Sequence, residues 1–258
     1  MEESVIVEVI EGVATIFFNE PNTLNALKPT LEEAFFNALI ELKDDSQVKV
    51  ILLAGKGRAF CAGGDISTLG KVDVIDFKQR MDFLSNLVQI LGQINKPIIA
   101  AVHGYATGAG FSLALASDII VAEKGAKFGL AFKNVGAIPD LGGHYFLPRA
   151  VGPWKAKEWI WTGATITAEE GVRQGFVNRL AEPGEAYQKA KELALELSHG
   201  PSLAYAYTKT IINGSANQNL DDVLTLEGFS QSFLFQSQDH QEGVKAFREK
   251  RLPNFVGE

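Results

Sequence analysis

Two short apolar runs, residues 48–53, broken only by Lys49, and 97–102, each lead into a glycine-bearing turn, and this pairing constrains the fold more than any other stretch of the chain. Runs without polar alternation suit strands that are covered on both faces, as parallel strands are in an α/β sheet. Between them, residues 74–94 have the length and spacing of a crossover helix, and residues 119–122 make a further short strand, so the middle of the chain alternates strand and helix. Upstream, residues 5–9 and 13–18 are β-branched and aromatic runs flanking Glu11-Gly12, the pattern of a tight hairpin. A helix follows over 31–42, with Leu31, Phe35, Leu39 and Leu42 on one face, Thr30 as its N-cap, and Glu32 and Glu33 in its first turn.

The strand signal ends near Gly184. The periodic segments 186–197, 203–212, 220–234 and 242–250 all predict helices. A mostly parallel α/β core over 1–199 is therefore expected, followed by a helical region over 200–258, with Gly200-Pro201 at the boundary. A net charge of -7, with no run of Lys or Arg, argues against a nucleic-acid binder. The single cysteine, Cys61, excludes an internal disulfide framework and suits a reducing compartment, so a cytoplasmic location is expected. Residues 97–122 are apolar enough to raise a membrane span, but His103, Gly104, Gly108, Gly110 and Asp118 interrupt them, and no membrane association is expected.

Chemistry concentrates in the two turns. Ala59-Phe60-Cys61-Ala62-Gly63-Gly64-Asp65-Ile66 follows the first apolar run, and Gly104-Tyr105-Ala106-Thr107-Gly108-Ala109-Gly110 follows the second and opens into a helix. Amides at a helix start lack partners, and small residues let a ligand approach them closely. Two such N–H groups aimed at one point would hold an oxyanion developing on a thioester carbonyl. The plainer alternative is that these glycines only end strands and permit tight packing. No metal is expected, because no histidine pair or His/Cys cluster has ligand spacing.

These same turns, with Lys96-Pro97-Ile98-Ile99-Ala100-Ala101-Val102-His103-Gly104 before the second, resemble the enoyl-CoA hydratase/isomerase (crotonase) family. The resemblance continues through Ser117-Asp118, Phe128-Gly129, Gly136-Ala137-Ile138-Pro139, Gly142-Gly143, Leu147-Pro148-Arg149 and Phe247-Arg248-Glu249-Lys250-Arg251, so nearly the whole chain is covered. It implies a spiral of ββα turns forming two roughly perpendicular sheets. It also implies a C-terminal helical region that trimerises, giving a homotrimer or a hexamer. The substrate is expected to be an acyl-CoA thioester, with coenzyme A part of the substrate and no other cofactor.

Carried over position by position, the oxyanion hole falls on the amides of Gly64 and Ala109, the latter at a position usually glycine in the family. Coenzyme A is expected along Ala59, Ala62, Asp65 and Ile66, with Phe247 and Lys250 of the last helix helping to hold the nucleotide. The two glutamates of the family's hydratases are missing: Ser112 and Phe132 occupy their positions. Ser112 is expected to bond a backbone carbonyl, although it could orient a water, and Phe132 to line the acyl pocket, where Leu141 and Trp161 are further candidates.

Asp140 stands at the loop position that carries the working carboxylate in the family's enoyl-CoA isomerases and in a CoA-thioester dehalogenase. The resemblance of Pro139-Asp140 and the following Gly142-Gly143 is greatest for the isomerases. Asp140 is therefore the expected catalytic acid–base, against the simpler reading of a turn residue or helix N-cap. His144 is a candidate pocket residue beside it, and His103 the other histidine considered. Three other readings stand beside it. Gly108-Ala109-Gly110 lacks the third glycine of a dinucleotide fingerprint, having Leu113 there. Ser112 lacks a nucleophile elbow. A non-catalytic acyl-CoA binder would keep the turns without turnover.

Overall fold

The computed structural model describes residues 3–65 and 73–257. The hairpin forms as expected: β1 (Val5–Ile10) and β2 (Val13–Phe18) pair antiparallel with Ile10 opposite Val13. Glu11 and Gly12 both take positive φ, 50° and 77°, the backbone twist that a two-residue hairpin turn demands. Helix α1 (Pro29–Asp44) starts earlier than the apolar spacing indicates. Its N-cap is Lys28, not Thr30, and Pro29 takes the first helical position, where no N–H is needed. No side chain caps it. Leu31, Phe35 and Leu39 are fully buried, worth roughly 1.5–3 kcal/mol each, which outweighs the ~1 kcal/mol of a lost cap.

Strand β3 (Val50–Gly55), helix α2 (Val74–Gln93), capped by the Asp73 carboxylate on Ile75 N–H, and strand β4 (Ile98–Val102) form the predicted strand–helix–strand unit. The six-stranded sheet runs β1-β2-β3-β4-β6-β9, with β6 at Ile119–Glu123 and β9 at Arg179–Ala181, and every pairing beyond the hairpin is parallel. Both faces are covered. Ile51, Leu53, Ile98, Ala100 and Val102 enter the larger core under α1 and α2. The alternate residues Val50, Leu52, Ile99 and Ala101 pack on Ala190, Leu193 and Ala194 of α7 (Ala186–Ser198). This two-sided burial is why the runs carry no polar alternation.

The second sheet, which the family resemblance implies but no apolar run marks, consists of β5 (Tyr105–Thr107), β7 (Lys127–Gly129) and β8 (Ile166–Thr167), paired in that order. The chain passes from β4 into β5 through Gly104, at φ 57°, where a Cβ would lie 2.0 Å from Arg58 O. Only glycine allows that corner. Short helices α3 (Ala109–Leu115), α4 (Gly143–Val151), α5 (Pro153–Thr162) and α6 (Ala168–Gln174) fill the connections.

The C-terminal helices are α8 (Ser202–Ser215), α9 (Leu220–Leu234) and α10 (Gln238–Glu249), the last starting four residues before the sequence pattern suggests. Within the single chain α8 and α9 bury no residue, in contrast to α7. Among the described residues no helix is long and apolar enough to cross a membrane.

Candidate active site

Both glycine-bearing turns end against one cavity of about 760 Å³. The first is laced between two neighbours. On one side Cys61 N–H donates to Tyr105 O and Thr107 N–H to Cys61 O, each at 3.0 Å, fastening the turn along β5. On the other, Leu27 N–H donates to Gly63 O at 2.7 Å and Asp65 N–H to Leu27 O at 3.4 Å. Hydrogen-bonding direction alternates along an extended segment, so the groups of Gly63 and Asp65 face Leu27 and the N–H of Gly64 faces away from it. Gly64 lines the cavity.

Ala109 is the first residue of α3, so its N–H has no carbonyl four residues back. The neighbouring Gly108 N–H is used, on Gly129 O at 2.8 Å. The two turns abut: a Cβ built on Gly63 would come within 3.2 Å of Ala109 N. Two N–H donors on adjoining walls of an apolar cavity can hold a developing oxyanion.

The abutment depends on Gly110, where a Cβ would stand 2.2 Å from Cys61 O and 2.8 Å from Cys61 C. Gly110→Ala is expected to push α3 off this backbone and cost about 3 kcal/mol, lowering the thermal midpoint by roughly 6–12 °C. Differential scanning calorimetry measures this; an unchanged midpoint would refute the close contact. Cys61 itself is fully buried and its thiol is pushed up to about 12 by that burial, so it is no nucleophile.

Opposite the turns the cavity is apolar, lined by Leu27, Phe77, Met81, Leu84, Phe132 and Ile138. Phe132 sits in a 3-10 helix (Ala131–Val135), its ring 3.8 Å from where a Gly108 Cβ would be. Asp140 closes this wall. It does not cap α4, whose N-cap is Gly142 with no side-chain bond, but it does open the turn that leads into that helix. Its backbone carbonyl accepts from Gly143 N–H at 2.9 Å, Leu141 takes φ 48°, and the Oδ1 atom is buried without a hydrogen-bond partner. Burial raises the Asp140 carboxyl to about 6, against the opposing pull of its own backbone N–H and of Arg80, while Glu32 adds to the rise. A carboxyl poised there can both take and return a proton near neutral pH.

Glu32 and Arg80 also line the cavity and form an ion pair between α1 and α2. Sequence reasoning missed both. Glu32 read as a first-turn charge on a helix, and nothing local marks Arg80 apart from the other charges of α2.

The remaining expected residues divide. Ala62 and Asp65 line the cavity. Ala59 lies beneath it, buried, its carbonyl accepting from Asn25 Nδ2 at 2.8 Å. Ile66 falls outside the described residues. Ser112 is fully buried and does not line the cavity; its Oγ has no partner, contrary to the expected bond to a carbonyl, because Gly143 packs over it. His144 is exposed on the first turn of α4 and also lies off the cavity, since the positive-φ residues Leu141 and Gly142 turn the chain away after Asp140.

Trp161, 71 % exposed, and Leu141 do not line it either. His103 Nε2 meets Gly57 O at 3.1 Å. Phe247 is exposed beside a groove of α8–α10, and neither it nor Lys250, which ends α10 with φ 54°, lines the cavity of its own chain. Among the described residues no group of three His, Cys, Asp or Glu side chains could hold a metal ion.

Comparison with known proteins agrees with this geometry. The profile of the family described as Enoyl-CoA hydratase/isomerase matches residues 8–258. The chain is 35% identical to 1,2-epoxyphenylacetyl-CoA isomerase of Escherichia coli K12 over 262 residues, covering 100% of both chains. It is 33% identical to crotonyl-CoA hydratase of Syntrophomonas wolfei, covering 98% of each. The crystal structure of an enoyl-CoA hydratase from Bacillus anthracis superposes with a TM-score of 0.94 at 30% identity, over 99% of this chain and 100% of that one. With the two-sheet α/β core, the C-terminal helices and the paired turns in place, the chain belongs to the enoyl-CoA hydratase/isomerase family of acyl-CoA enzymes and has the crotonase fold.

Proposed function

We propose that this enzyme shifts a double bond in an enoyl-CoA, from the 3-enoyl to the 2-enoyl thioester or in a related isomerisation, with Asp140 carrying the proton. The observation that carries this reading is the unpartnered, buried Oδ1 of Asp140 on the cavity wall, in a site whose two hydratase glutamate positions hold Ser112 and Phe132. One carboxylate suffices for a 1,3-shift. It removes a proton from C2, the thioester oxygen takes the negative charge of the dienolate under the N–H groups of Gly64 and Ala109, and the carboxylic acid returns the proton to C4. Hydration needs a second acid–base group to position water. Glu32 is the other buried carboxylate at this cavity, and Arg80 already occupies both of its oxygens.

The same reading assigns coenzyme A to the strip from Ala62 to Asp65 and has neighbouring copies cover the C-terminal helices. Phe229 and Phe247, exposed at 74 % and 86 %, support such a cover.

A 3-enoyl-CoA and a 2-enoyl-CoA offered separately, followed by the ultraviolet absorbance of the conjugated thioester, test the assignment. Conjugation of the 3-enoyl substrate should outpace loss of the 2-enoyl one; faster hydration would sink the proposal. Because the base must be ionised, kcat/KM should fall as pH drops through about 6, following the raised Asp140 carboxyl. A flat profile from pH ~5 to ~8 would assign proton transfer elsewhere.

A further inference from the structure

The Glu32–Arg80 ion pair has no part in the proton shift described above, yet its placement ties it to both halves of the site. Glu32, on α1, has a side chain 2% exposed, and a carboxylate that deep is held as an ion only by a partner. Arg80, on α2, supplies it through a fork, Nε to Oε2 at 3.2 Å and Nη2 to Oε1. The same Nη2 donates to Leu27 O at 3.3 Å. Leu27 O also accepts from Asp65 N–H, and Leu27 N–H donates to Gly63 O, so Arg80 grips the backbone strip that aligns the turn bearing Gly64.

Among the described residues, the other ionisable groups lining the cavity with Asp140 are Glu32 of α1, Arg80 of α2 and Asp65 of the turn after β3. The two whose charges act on Asp140 are Arg80 and Glu32, in opposite directions. An ion pair that merely joined α1 to α2 could sit anywhere along their contact. This one sits where both helices reach the cavity.

We propose that Glu32–Arg80 is a positioning unit of the active site: the guanidinium anchors the backbone opposite Gly64, and the pair presents one charge of each sign on the cavity that Asp140 also lines. This rests on the reading of Asp140 as the proton carrier. Loss of the cation leaves Glu32 to disfavour a second anion, so Asp140 should ionise at higher pH. Loss of the anion leaves Arg80 to favour ionisation, so it should ionise at lower pH.

The test uses the full chain, isotope-labelled at the aspartate carboxyl carbon and titrated by NMR, with Asp140→Asn identifying the Asp140 signal. The pH dependence of kcat/KM is measured beside it. Arg80→Met should raise the Asp140 midpoint and Glu32→Gln lower it, each by about one pH unit, with the acid limb of turnover following. Arg80→Lys keeps the charge and loses the fork, so the midpoint should hold while kcat falls. The double variant Glu32→Gln/Arg80→Met leaves no lone buried charge and guards against a single variant that fails to fold. Its midpoint should return towards that of the parent, with kcat reduced and KM little changed, because the Leu27 anchor is gone. Single-variant midpoints that move together or not at all, or a double variant with parental kcat, would overturn the proposal. The NMR midpoints are read whether or not an enoyl-CoA turns over, so absent isomerisation counts against the role of Asp140 and not against the pair.

Discussion

Asp140→Asn should lower double-bond migration by about 10²–10⁴-fold while leaving acyl-CoA affinity nearly intact, because the amide matches the carboxylate in shape but cannot exchange a proton. The variant should also be the more stable protein at alkaline pH. The folded-state carboxyl is raised to about 6 by burial, above its unfolded value near ~3.9. For an acid shifted upward, the unfolded chain ionises first. Folding stability is therefore fullest below the unfolded value and declines as pH rises towards and through the folded one. Above pH ~7 the ionised Asp140 should cost about 1–2 kcal/mol, less than the whole shift implies, since water reaches part of the group.

Asparagine carries no such cost, so the thermal midpoint of Asp140→Asn at pH ~8 should exceed that of the parent, and the gain should vanish by pH ~4. Calorimetry at the two pH values and the conjugation assay check both halves. Turnover within about tenfold of the parent would remove Asp140 from the reaction, and a stability gain that persisted at acid pH would show that its ionisation is not the source.

Ala109→Pro is the companion change at the other wall, and it should lower kcat by about 10²–10³-fold, the usual loss for one oxyanion donor. Ala109 is the first residue of α3, the one helical position where proline is readily accepted. The residue before it, Gly108, has φ 55° and ψ −129°, the mirror image of an extended backbone, and lacks the Cβ through which proline constrains its predecessor. The helix should therefore survive while the N–H of Ala109 is lost. Ala109→Gly keeps that N–H and should stay close to the parent. Stopped-flow or steady-state rates on a conjugating substrate decide the matter, with circular dichroism confirming the fold. Equal activity in the proline and glycine variants would mean that the carbonyl is held elsewhere.

The parts of this protein that could be read along the chain are those whose physical signal is local. The hairpin around Glu11-Gly12, the buried strands β3 and β4 and the crossover helix α2 each hold enough residues to express a period or a turn. The turns at Gly64 and Ala109 and the loop at Asp140 were legible as ordered runs of residues, because backbone amides and one carboxylate are placed by the chain that carries them.

Short elements were not legible. β5, β7 and β8 span three, three and two residues, too few to show alternation, and their pairing joins positions such as Thr107 and Gly129 that are distant in sequence. The N-cap assigned to Thr30 slipped because Pro29 begins the helix two residues earlier, with Lys28 as the N-cap.

Side-chain direction after Asp140 was equally hidden. Leu141 and Gly142, both at positive φ, carry His144 out to solvent, and Ser112 sits under Gly143 without the partner expected for it. Periodicity and motif were enough for the α/β core, for two turns that meet at one cavity and for a carboxylate on its wall. The pairing of Glu32 with Arg80, 48 residues apart on two helices, arose only from packing, because the pattern along a helix tells which face is buried and not which distant charge will meet it there.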